Sequence, residues 1–170
     1  MNPTMLTVVA SVAECISPTV LDPDICEAET GMGEMSTDEN DSTTMLPIYA
    51  FVRFDIDGTI TNKIVDAVTL KLTVTDSSKA PGPHSGEIWQ VEPFSEADLS
   101  NGVPAKVGGV PIGPDKGAVT QSQVITWSLP KNLAAPNAGV HLGLFPLSSD
   151  GVNYWNRAGK SPPELIVEYH

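Results

Sequence analysis

The sequence predicts an all-β protein, an antiparallel β-sandwich of jelly-roll type with little helix, on three observations. Apolar and polar residues alternate with period two in run after run. No segment has the apolar spacing of a long amphipathic helix. Fifteen prolines and 14 glycines in 170 residues punctuate the runs, as short strands with frequent turns require.

The clearest run is Val65–Thr75. Val68, Leu70, Leu72 and Val74 fall on one face, and Thr69, Lys71, Thr73 and Thr75 on the other. A half-buried strand of an antiparallel sheet reads this way. Leu6, Val8, Ala10 and Val12 alternate with Thr7, Val9 and Ser11, and Tyr49–Asp55 is aromatic and β-branched. Ile88–Val91, Val124–Leu129, Val140–Leu147 and Leu165–Tyr169 are further strand candidates. Turn chemistry separates them at Lys79–Pro83, Gly108–Gly109, Gly113–Pro114, Ala135–Asn137, Ser148–Gly151 and Ser161–Pro163. Ser95–Leu99 is the one helical turn, with Ser95 placed to cap it and Asp98 at the third position.

The expected organisation is one domain over residues 1–170 with an acidic, loop-rich insertion at about 14–47. Residues 1–52 hold no Lys or Arg but nine acids, from Glu14 to Asp41. The net charge of -12 argues against nucleic acid, whose phosphates need basic residues. No apolar run is long enough for a transmembrane helix. Met5–Ala13 lacks the basic flank of a signal peptide, so a secreted protein is expected here in mature or excised form.

Cys15 and Cys26 enclose a stretch with two prolines. A disulfide between them would close a short loop, add about 3 kcal/mol and indicate an oxidising compartment. Two unpaired thiols are the alternative. No His lies near either cysteine, which argues against zinc.

Asp55-Ile-Asp57-Gly-Thr59 matches the D-x-D-G-T signature of haloacid-dehalogenase-type phosphatases, in which the first Asp attacks phosphorus and the second handles the proton. Its context argues against that chemistry. The next element is a strand with one polar face, not a helix of a doubly wound fold, and no downstream acidic pair suits magnesium. The simpler reading ends a strand at Asp55 and turns at Asp57–Gly58.

Candidate ligand contacts follow from side-chain chemistry. Tyr154-Trp155-Asn156-Arg157 combines two aromatic rings with amide and guanidinium groups beside a turn, a platform suited to stacking and hydrogen bonding a sugar. In the competing reading one of the rings plugs the end of the sandwich. Trp89 and Trp127 lie in strands and are expected in the core. His84 and His141 are isolated, as a turn and a strand-face residue. Arg53 is expected to pair with Asp66 or Glu168. Asp55, Asp57 and Asp150 are candidate calcium ligands.

Several segments in order are similar to one family. Ala50-Phe-Val-Arg-Phe-Asp-Ile56 is followed by Ile64–Val74, then by Glu87–Leu99 with Pro104. Val140–Val152, Asn156-Arg157 and Pro162–Tyr169 follow in turn. Over residues 48–169 this resembles the DNRLRE, or disaggregatase-related, β-sandwich domains. Those domains pair an aromatic-Arg-Phe-Asp strand with an Ala-x-Leu-x-Leu strand, before a Trp-Ser-Glu-x-x-Leu segment. The chain departs from them in its longer, acidic, cysteine-bearing residues 13–48 and at Ile125–Leu129. The resemblance implies a non-catalytic module of secreted or cell-surface proteins, several of which bind polysaccharide. A structural or adhesive surface component with a protein partner has the same fold. The charge of -12 would repel an acidic polysaccharide unless calcium bridged the two, so a neutral glycan is as fitting a ligand.

Overall fold

The computed structural model describes residues 2–20, 33–42 and 45–170. Two four-stranded antiparallel sheets pack face to face, as the alternation predicts. The ten strands among the described residues are, in chain order, β1 (Thr4–Val9), β2 (Val12–Ile16), β3 (Glu34–Thr37), β4 (Tyr49–Ile56), β5 (Val65–Thr73), β6 (Glu87–Gln90), β7 (Val124–Leu129), β8 (Ala138–Phe145), β9 (Val152–Trp155) and β10 (Glu164–Tyr169). One sheet has the order β1-β10-β5-β7, the other β2-β4-β8-β6, and β3 and β9 form a separate ribbon.

The alternation through Leu6–Val12 is two strands, not one. The chain leaves the first sheet at Val9 and enters the second at Val12, turning at Ala10–Ser11, where Ala10 N donates to Pro163 O and Ser11 N to Arg53 O. Period two survives this corner, so it hides the break.

The main core fills the space between the sheets. Val68, Leu70 and Leu72 of β5 and Leu165 and Val167 of β10 meet Val52 and Phe54 of β4 and Leu142 and Leu144 of β8. Trp127 is fully buried among them, and its indole N–H donates to Pro114 O at 2.8 Å.

The second sheet is buried on its outer face as well. Phe51 and Phe145 lie under Phe94 and Leu99 of the segment 91–103, with Tyr49 and Trp89 packed alongside. Burial on both faces explains why β4 reads as a nearly unbroken apolar run. Trp89 therefore belongs to this outer layer, half-buried under Lys106, whose Nζ is 4.1 Å from the ring centroid.

The Ser95 turn forms as expected. Asp98 N donates to Ser95 Oγ at 3.3 Å, and Ser95 N donates to the Asp98 carboxylate at 2.7 Å. It opens a single 3₁₀ turn, Ala97–Ser100, that carries Leu99 onto the sheet.

Candidate functional site

The acidic insertion is not all loop. β3 lies within it and pairs with β9, placing Glu34 opposite Trp155, Met35 opposite Tyr154 and Ser36 opposite Asn153. Alternation then sorts the side chains: Met35 and Tyr154 point into the core, while Glu34, Ser36, Asn153 and Trp155 share the other face.

Beside that face lies a cleft of about 450 Å³. Ser36 and Asn153 of the ribbon, Asp38 and Asp41 after β3, Ser78 and Lys79, and Ser149 and Asp150 line it. Three segments come together to build it. Glu39 N donates to Ser148 O at 3.0 Å, and Asn153 N donates to Ala80 O at 3.2 Å. Gly151 permits the closest approach, since a Cβ there would sit 2.6 Å from Thr37 O and 2.7 Å from an Asp38 carboxylate oxygen.

Asp38 is 7% exposed, and Asn40 N donates to its carboxylate at 2.9 Å. Burial raises its pKa above the ordinary 3.8. The Asn40 and Gly151 N–H groups oppose that rise, and the charges of Asp41 and Asp150 add to it. Glu34 is also raised by burial, against hydrogen bonds from Thr75 and Asn153, with Asp76 adding repulsion. The cleft thus offers hydroxyls, an amide, carboxylates and one ammonium group in a small space, with the indole of Trp155 further along the same ribbon face. From Asn153 to Trp155 is about 7 Å along a strand.

The four platform candidates separate. Tyr154 is fully buried, its hydroxyl donates to Ser85 O at 2.8 Å, and burial raises its pKa. It plugs the core and cannot stack on a ligand. Asn156 is also inside: its Nδ2 donates to Glu34 O at 3.2 Å, and its Oδ1 accepts from Ala158 N. Arg157 is exposed but turned toward the strand corner, donating to Ser11 O at 3.0 Å and pairing with Glu96 at 3.2 Å. Trp155 alone is half-buried on the ribbon's outer face. Gly159 packs closely against its ring, and Lys160 Nζ is 5.4 Å from the ring centroid.

Asp55, Asp57 and Asp150, the expected calcium ligands, do not converge on one place. Asp150 shares the cleft with Asp38, and Asp38 bridges Ile48 just before β4 begins. Asp55 stands at the far end of β4, about 23 Å from Ile48 at the usual rise per strand residue. Among the described residues, no group of three or more His, Cys, Asp or Glu side chains is placed to hold a metal ion.

Asp55 instead pairs with Arg53 at 2.8 Å. Burial works against its ionisation, but hydrogen bonds from Ser11 and Arg53 and the Arg53 charge hold its pKa below 3.8. Arg53 also donates to Phe94 O at 3.3 Å, so its partners are neither Asp66 nor Glu168. Asp66 contacts His170 instead. Asp57 accepts from Thr59 N at 2.8 Å and caps the 3₁₀ turn Gly58–Ile60. The D-x-D-G-T stretch therefore joins strands of two antiparallel sheets, outside the parallel α/β context in which a phosphatase uses it.

Cys15 is fully buried on β2, and Ser36 N contacts its Sγ at 3.4 Å. Cys26, the other half of the expected disulfide, lies outside the described residues. No helix among the described residues is long and apolar enough to cross a membrane. No protein-family model matches the chain, and no curated protein matches it.

Proposed function

We propose that this chain is a non-catalytic module of a secreted or cell-surface protein that binds a neutral polysaccharide along the β3–β9 ribbon. One observation carries the reading: an outward indole, Trp155, shares a face with the polar cleft that Ser36, Asp38, Lys79, Asp150 and Asn153 line. Sugars are held by stacking of their C–H faces on an aromatic ring and by a few directed polar groups, and this face supplies both.

The ligand is neutral because the carboxylates of the cleft and the net charge of -12 repel polyanions. The oxidising compartment rests on a Cys15–Cys26 disulfide, the pairing expected from the sequence. Likeness to the DNRLRE β-sandwich domains supports the same assignment, through the order of the Arg53, Trp89 and Pro104 segments.

Affinity electrophoresis against a panel of neutral and acidic polysaccharides tests the proposal, with and without EDTA. Retardation by a neutral polymer, unchanged by EDTA and lost in Trp155→Ala, is the expected result. Retention only by acidic polymers, or undiminished retention of Trp155→Ala, would overturn it.

A further inference from the structure

Among the described residues β1 has a strand on one side only, β10. Edge strands of monomers are commonly guarded by charge, proline or a bulge. Thr4–Val9 contains no charged residue and no proline, in a chain with 21 acids, and it pairs with β10 in unbroken register.

The side chains of this edge are symmetric about Thr7. Met5 and Val9 point outward and are 61% and 50% exposed. Leu6 and Val8 point the other way and are only partly buried against the core. Directly opposed residues of an antiparallel pair face the same side of a sheet. An axis through Thr7 satisfies that condition at every position: Met5 meets Val9, Leu6 meets Val8, and Thr7 meets Thr7. A register shifted by one residue would set outward side chains against inward ones.

We infer that β1 of one chain pairs antiparallel with β1 of a second copy, two-fold symmetric about Thr7, so that two four-stranded sheets become one of eight strands. The acidic surface tolerates this arrangement. The nearest outward acids, Glu164 and Glu168, lie on β10, one strand inward on each side. Partner β10 strands would be three spacings apart, about 14 Å, beyond the screening length of about 8 Å at physiological salt. Glu164 is further offset by Lys71 at 3.0 Å. Self-pairing should therefore tighten as salt rises, because the remaining force between two chains of charge -12 is repulsive. The inference stands apart from the glycan reading, since no residue of β1 lines the cleft.

Sedimentation equilibrium and disulfide trapping of the full chain test it. The wild type should show a concentration-dependent species of twice 18.0 kDa. Thr7→Lys sets two ammonium groups opposite each other on an exposed position and should weaken the dimer about tenfold or more. Ser128→Lys, on the opposite edge of the sheet, should not weaken it. Under mild oxidation Thr7→Cys should form a covalent dimer, because directly opposed residues fall within disulfide reach. Met5→Cys alone should not, its two copies being about 13 Å apart, whereas mixed Met5→Cys and Val9→Cys chains should cross-link. A wild type that stays monomeric at every concentration overturns the inference. So does a dimer that Thr7→Lys leaves intact, or one in which Met5→Cys traps itself and Thr7→Cys does not.

Discussion

The imidazole of His141 accepts a hydrogen bond from Phe94 N at 3.2 Å through Nδ1, so that nitrogen must carry no proton. Burial lowers its pKa below the ordinary 6.5, the Arg53 charge lowers it further, and Asp55 partly opposes them. Its edge-to-face contact with Phe94, at 5.2 Å between centroids, belongs to the same junction. A histidine depressed in the folded state binds fewer protons there than in the unfolded chain. Its contribution is complete above pH 6.5 and is lost as pH falls from 6.5 through the lower folded pKa. His141→Asn keeps an acceptor near the Nδ1 position but does not titrate. Its melting temperature, compared with that of the wild type from pH 7.5 to 5.5, should fall less on acidification. Equal slopes for the two proteins would contradict this role. Tyr154→Phe should cost about 1 kcal/mol through loss of the bond to Ser85 O, and it should leave polysaccharide retention unchanged. At this scale the sequence was informative about chemistry but not about direction. Tyr154 and Trp155 are adjacent and both aromatic, and only the register of β9 sends one ring inward and the other outward.

Strands with clean alternation were legible, and those whose partners are remote were not. Val124–Leu129 forms over the expected residues, because Ile125, Trp127 and Leu129 all reach the core while Val124, Thr126 and Ser128 face water. β3 has four residues and one strongly apolar side chain, Met35, so no local pattern announces it. It exists through β9, more than a hundred residues away, and half of the candidate cleft depends on that pairing. The segment 91–103 behaves as one further element, held on the second sheet by Phe94 and Leu99. Phe94→Ala should destabilise the protein by about 3 kcal/mol in urea unfolding, as truncation of a buried ring does. It should also raise amide exchange across Val91–Asn101 ahead of β4 and β8. Exchange unchanged in that segment would show that Phe94 does not hold it. The expected Cys15–Cys26 pairing belongs to the same scale: peptide mapping without reductant should recover the two cysteines linked, and reduction should cost about 3 kcal/mol. Recovery of two free thiols would contradict the pairing.

Across the whole molecule, two sheets and an outer apolar layer bury the strand residues, and the polar cleft is left to the ribbon and the loops. The sandwich was legible because nearly every strand in it presents apolar residues at period two. The site was less so, because its polar residues come from three separated segments and none carries a motif. Asp38 stood out only as one acid among nine, and nothing in the sequence singled out Asn153. The ribbon face, and not the Trp89 layer, is the proposed seat of a neutral glycan. The chain has three tryptophans in three environments: core Trp127, the Lys106-capped Trp89 and the ribbon's Trp155. Titrating ¹⁵N-labelled protein with the retained oligosaccharide reads all three indole N–H signals in one experiment. Saturable shifts are expected at the Trp155 indole and the Asn153 side-chain amide, with Trp127 and Trp89 unmoved. Shifts confined to the Trp89 indole, or no shift at Trp155 while the sugar binds, would contradict it.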